Sequence, residues 1–181
     1  QTICIGNDPV SFWTVVPGTG DGAITFQWQS STDGVSFTDI AGADAANYDP
    51  PALAVDTWFR RITESLLNTV ECTKESNIVK VTVNTVNGGA ITADQTICFG
   101  STPAPFGSSD DGFGSGTVTY QWLRSDNNVI FSTIPGATST TYTPGVHYTD
   151  TYYKRQIISI QNGILCTAES NVIKLTINPL P

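Results

Sequence analysis

Thr25-Phe26-Gln27-Trp28-Gln29-Ser30 returns 94 positions later as Thr119-Tyr120-Gln121-Trp122-Leu123-Arg124. Cys4 and Cys98, and Cys72 and Cys166, are separated by the same 94 positions, with no gap needed between them. The chain is therefore two copies of one module. Within the quoted stretch Ile24, Phe26 and Trp28 alternate with Thr25 and Gln27. That period of two places the large side chains on one face of a β-strand.

Working outward, Ser31-Thr32-Asp33-Gly34 is a hairpin signal leading to a returning strand over 35–40, and Asp126-Asn127-Asn128 takes the turn's place in copy two. Upstream, residues 9–16 read as a strand anchored by Phe12, with Phe106 as its counterpart. The loops 17–22 and 111–116 share three glycines and little else. Downstream, Asp56–Ile62 and Asp150–Gln156 read as strands whose pattern does not decide which aromatic points inward. Val79, Val81 and Val83 point in while Lys80 and Thr82 point out, and Ile173, Leu175 and Ile177 repeat this. Short strands, turn signals between them and no helical periodicity predict an all-β chain: two tandem immunoglobulin-like antiparallel β-sandwich domains, with a β-barrel as the alternative. The expected domains are 1–87 and 88–181, joined through Thr85–Ala90, with Ile91-Thr92-Ala93 opening the first strand of copy two. The equivalent strand of copy one is expected to be truncated, and the chain to be a piece of something longer. Phe12, Phe26, Trp28 and Phe37, with Phe106, Tyr120, Trp122 and Phe131, are the expected core.

Units of this size bury a modest fraction of their surface, so a covalent staple would add materially to stability. The four cysteines supply one candidate: Cys4 with Cys72 and Cys98 with Cys166, each closing a loop of about 70 residues worth about 4 kcal/mol. Free thiols and a zinc site are the alternatives, and no cysteine has a second ligand at zinc spacing. Disulfides imply an oxidising, extracellular compartment. Net charge is −8, and the eight Lys and Arg residues lie singly or in pairs, which argues against nucleic acid as a partner. No apolar run reaches membrane-spanning length, so membrane insertion is not expected.

The order Phe26-Gln27-Trp28, Val35-Ser36-Phe37, Ile40-Ala41-Gly42-Ala43, Tyr48, Trp58-Phe59-Arg60-Arg61, Cys72-Thr73 and Ser76-Asn77 resembles the Ig-like or PKD-like repeats of very large Bacteroidota surface adhesins, the gliding-motility adhesins among them. The resemblance covers both copies nearly end to end. It implies export by the type IX secretion system, display on the cell surface, and a role in cell adhesion.

Chemistry is sparse. The single histidine, His147, stands where copy one has Leu53 and reads as an incidental loop residue. The shared acids, Asp56 with Asp150 and Glu75 with Glu169, are expected to form structural pairs with nearby Arg and Lys or to cap turns. Asp21, Asp110 and Asp111 are the candidate recognition or calcium-loop residues; their loops lack the spacing of a dedicated calcium loop, and no cofactor is expected. Three functions follow: a non-catalytic stalk or display module of an adhesin, a carbohydrate- or protein-binding module, or an accessory domain of a secreted enzyme. The expected partners are a surface polysaccharide or protein and neighbouring repeats of the same chain.

Overall fold

The computed structural model describes residues 1–179; Leu180 and Pro181, at the end of the second expected domain, lie outside the described residues. The chain divides into two compact units, Gln1–Val83 and Asn84–Pro181. The division falls ahead of the expected 87/88 boundary because Asn84 and the strand that follows it bond to residues of unit 2. Among the described residues every regular element is a β-strand.

In chain order the first six strands are β1 (Thr2–Cys4), β2 (Ala23–Ser31), β3 (Thr38–Asp39), β4 (Thr57–Leu67), β5 (Val70–Glu75) and β6 (Val79–Asn84). They form one sheet in the order β1-β6-β4-β2-β3, with β5 also pairing β4. Unit 2 contains β7 (Val86–Asn87), β8 (Ala90–Ile91), β9 (Gln95–Cys98), β10 (Ser108–Asp110), β11 (Phe113–Gly114), β12 (Thr117–Ser125), β13 (Ser132–Thr133), β14 (Thr151–Gln161), β15 (Ile164–Glu169) and β16 (Ile173–Asn178). Its main sheet repeats the order, β13-β12-β14-β16-β9, with β15 on β14. The opposing layer is thin. In place of the expected strand over 9–16 there is a single bridge, Phe12 to Tyr48, matched by Phe106 to Tyr142. These are two Ig-like sandwiches in tandem.

An aromatic cluster joins the layers. Phe12 lies 5.8 Å from Trp28 and 5.1 Å from Phe59, and Phe106 lies 6.1 Å from Trp122 and 4.9 Å from Tyr153. Both indoles donate to loop carbonyls, Trp28 to Ala45 and Trp122 to Ser139, so the polar edge of each buried ring is satisfied. The facing of β4 is thereby settled. Phe59 is buried, while Trp58 is half-buried on the outer face under Lys80.

Phe12, Trp28, Phe106 and Trp122 are buried in these clusters, but the other four expected core aromatics are only half-buried. Phe26 and Tyr120 lie under the guanidinium groups of Arg61 and Arg155, and Phe37 and Phe131 under Arg60 and Lys154. A cation over a ring face is attracted by its quadrupole and excludes water from it. Six of the eight basic residues are used in this way.

The expected disulfides are corrected. Cys4 and Cys166 are the cysteines in disulfide linkage, and Cys72 and Cys98 carry free, exposed thiols. Pairing within a copy is excluded by distance. Cys72 lies opposite Ser65 on β4, whereas β6 reaches β4 only at Thr57–Phe59 and carries β1 on its far side. From Thr57 to Ser65 is about 26 Å along the strand at about 3.3 Å per residue. Cys166 likewise faces Ser159 on β14, while Cys98 faces Asn178, beyond the level of Thr151. A disulfide needs Cα atoms within about 7 Å.

Candidate functional site

Unit 1 carries an open groove of about 1090 Å³. Its floor comes from β4, where Arg61, Thr63 and Ser65 share the inner face by strand alternation. One wall is the segment from Trp13 to Asp21, the other runs from Val70 to Asn77. The first wall is laid flat against β4 by the shared glycines. A Cβ on Gly20 would stand 2.3 Å from Ser65 Oγ, and one on Gly22 would stand 2.1 Å from the Leu66 carbonyl oxygen. Only glycine permits that approach. These loops are thus fixed at their glycines, while Trp13, Val15 and Val16 remain 73%, 92% and 78% exposed.

Arg61 anchors the groove. Its Nη1 donates to Thr14 Oγ1 and to the Ala46 carbonyl, and burial lowers its pKa from the ordinary arginine value. Arg155, fully buried in unit 2, makes the matching bonds to Ser108 Oγ and the Thr140 carbonyl at 2.9 and 2.8 Å. It adds the Asp110 carbonyl at 2.9 Å and the Asp111 carboxylate at 3.8 Å.

The shared acids are structural. Asp56 accepts from the Val83 amide and pairs with Lys80, each at 2.8 Å; Asp150 does the same with Ile177 and Lys174 at 2.8 and 2.7 Å. The Ile177 amide first, then Lys174, hold the Asp150 carboxyl below its ordinary pKa. Glu75 and Glu169 pair with Arg60 and Lys154 at 2.8 and 2.6 Å, in keeping with the structural pairing expected from sequence. Of the candidate loop acids, Asp110 caps the Gly112 amide at 2.8 Å, Asp111 faces Arg155, and Asp21 is exposed on the groove wall. They do not converge, and among the described residues no group of three or more His, Cys, Asp or Glu could hold a metal ion.

Residues 1–85 and 87–179 each match the family model described as a domain of unknown function, DUF8696. The chain belongs to this family. No curated protein matches it. Among solved structures it is similar to the three N-terminal domains of the bacteriophage RB49 highly immunogenic outer capsid protein, at 10% identity over 98% of this chain and 66% of that one, with a TM-score of 0.49. It is also similar to immunoglobulin domains 1–5 of Sidekick-1 (13% identity, 98% and 35% coverage, TM-score 0.43). The eight N-terminal Ig domains of the Down syndrome cell adhesion molecule follow at 14% identity, 98% and 21% coverage and a TM-score of 0.39. The chain spans less than two thirds of each of these structures. In this DUF8696 tandem, sequence reasoning missed two features: the groove, and a role for His147. His147 Nε2 is hydrogen-bonded to the hydroxyl of buried Tyr153. The signal was available, because Leu53 and Phe59 of copy one change together to His147 and Tyr153 in copy two.

Proposed function

We propose that this segment is a non-catalytic stalk or display module of a large secreted cell-surface adhesin, its Ig-like repeats spacing a binding region from the surface. The observation that carries the reading is the use made of the polar residues common to both copies. Asp56 and Asp150 cap the final strand of each unit, Glu75 and Glu169 pair across its outer face, and Arg61 and Arg155 tie one layer to the other. What repeats is scaffold, and a site for catalysis would instead need an acid, base or nucleophile left free to react. The disulfide-bonded state of Cys4 and of Cys166 supports an oxidising, extracellular location. The resemblance to gliding-motility adhesins extends the reading to export by type IX secretion.

The test is a module swap in the parent protein. Replacing residues 1–179 by two unrelated Ig-like sandwiches of similar length should preserve surface adhesion. Loss of adhesion with normal surface display would assign binding to these units and overturn the stalk reading.

A further inference from the structure

The groove of unit 1 has an exact positional counterpart in unit 2, and there it is filled. Residues 84–92 run through it. Val86 and Asn87 pair with Gly114 and Phe113, and Ala90 and Ile91 pair with Asp110 and Ser108. Ile91 is 4% exposed and packs in the cluster of Phe106 and Trp122. Asn84 is fully buried: its Nδ2 donates to the Ser159 and Ile164 carbonyls at 2.9 and 3.1 Å, and its Oδ1 accepts from Ser159 Oγ at 2.7 Å. Asn171 brackets Ile91, accepting from its amide at 2.8 Å and donating to its carbonyl at 3.2 Å.

Unit 1 presents the same receiving groups. Ser65 stands where Ser159 does, Asn77 where Asn171 does, Glu75 where Glu169 does, and Gly18 where Gly112 does, and all four line the open groove. The core cluster of unit 1 contains no counterpart of Ile91. Val15 and Val16, matching Ser109 and Asp110 of β10, leave their side chains in solvent. A strand edge and an apolar trough left open side by side are a template for an added strand.

We infer that the groove of unit 1 is a strand-acceptor site whose occupant is the linker of a preceding module of the same kind, a segment with the chemistry of Asn84–Ile91. The occupant is specified by what the filled groove requires. It places an Asn on Ser65, a small apolar residue on Val16, and an Ile against Phe12 and Trp28. It also needs glycine at the position of Gly88, where a Cβ would fall 1.9 Å from the Glu169 carbonyl oxygen. The inference does not depend on the adhesin reading, since it concerns how modules join and not what they bind.

Two experiments test it on the full chain. In the first, a duplicate of residues 84–94 is fused directly ahead of Gln1, which restores the register of copy two. The apparent Tm of unit 1 should rise by about 5 °C or more, with new amide protection over 14–20 and 70–77 by hydrogen exchange. In the second, the synthetic peptide of residues 84–93 is titrated in trans and should give the same protection pattern. Substituting Gly88→Val or Ile91→Asp within the added segment should cut peptide affinity at least about tenfold and cancel the Tm gain. Absence of protection in both experiments overturns the proposal, as does equal protection by the substituted segments. So does a dimer of the unfused chain that dissociates on fusion, which would make a second copy the occupant.

Discussion

Unit 1 and unit 2 place equivalent guanidinium groups over the aromatic rings of Phe26 and Tyr120, yet Arg155 is sealed and Arg61 looks into an open groove. The difference is the segment from Asn84 to Ile91, which covers β14 in unit 2; the equivalent positions of unit 1 would precede Gln1. The comparison teaches that the aromatic cluster and the main sheet are arranged alike in both units, and that the segment adds the cover over one edge. The interior of a module and its rim are separable in this fold.

The largest expected effect probes what the units share. Trp28→Ala and Trp122→Ala should each cost about 3–5 kcal/mol, close to the whole stability of a small domain. Chemical denaturation followed by residue-resolved hydrogen exchange measures each unit separately. A markedly smaller loss at Trp28 would show that the open groove already loosens the core of unit 1. Next, Ile91→Ala should cost about 2–4 kcal/mol in unit 2 and leave exchange in the cluster of unit 1 unchanged. A loss below about 1 kcal/mol would mean that the filling strand contributes little.

A third experiment exchanges a paired difference between the copies. Burial raises the Tyr153 hydroxyl to about pKa 12, and that hydroxyl is bonded to His147. Tyr153→Phe alone should cost about 1–2 kcal/mol. The double variant Tyr153→Phe/His147→Leu recreates Phe59 and Leu53 and should recover part of it, with a coupling of about 0.5–1.5 kcal/mol. Strict additivity would deny the pairing.

The smallest effect concerns one turn. Hydrogen bonds from the Ser31 hydroxyl first, then from the Ser36 and Val35 amides, hold the Asp33 carboxyl well below the usual carboxylate range. Asn127 accepts the same set of bonds in unit 2, from the Ser125 hydroxyl and the Val129 and Ile130 amides. A depressed folded-state pKa stabilises above the ordinary value of about 3.9 and is lost as pH falls through the folded-state value. Unit 1 should therefore carry an acid-side loss at this turn that unit 2 lacks. Asp33→Asn should remove this pH dependence and lower the stability of unit 1 slightly at pH 7, because a neutral amide oxygen accepts weaker bonds than a carboxylate; an unchanged acid limb in a pH series of denaturation curves would refute the assignment.

The repeat and the alternation around Trp28 and Trp122 were enough to determine the class of fold and the number of modules, because both are properties of local periodicity. Periodicity could not say which of Trp58 and Phe59 points inward, since both faces of that strand carry aromatics and only the facing layer selects one. Nor could it pair the cysteines. An equal offset makes Cys4 and Cys98 equivalent without placing either beside Cys72 or Cys166, and the length of β4 and β14 puts the two kinds at opposite ends of a module. The shared glycines were legible as loop residues, but their close approach to β4 and β14, and the groove this creates, are contacts between segments more than 40 positions apart. Such contacts exist only once the sheet has formed, and so the rim of each module was decided by tertiary structure while its core pattern was already present in the chain.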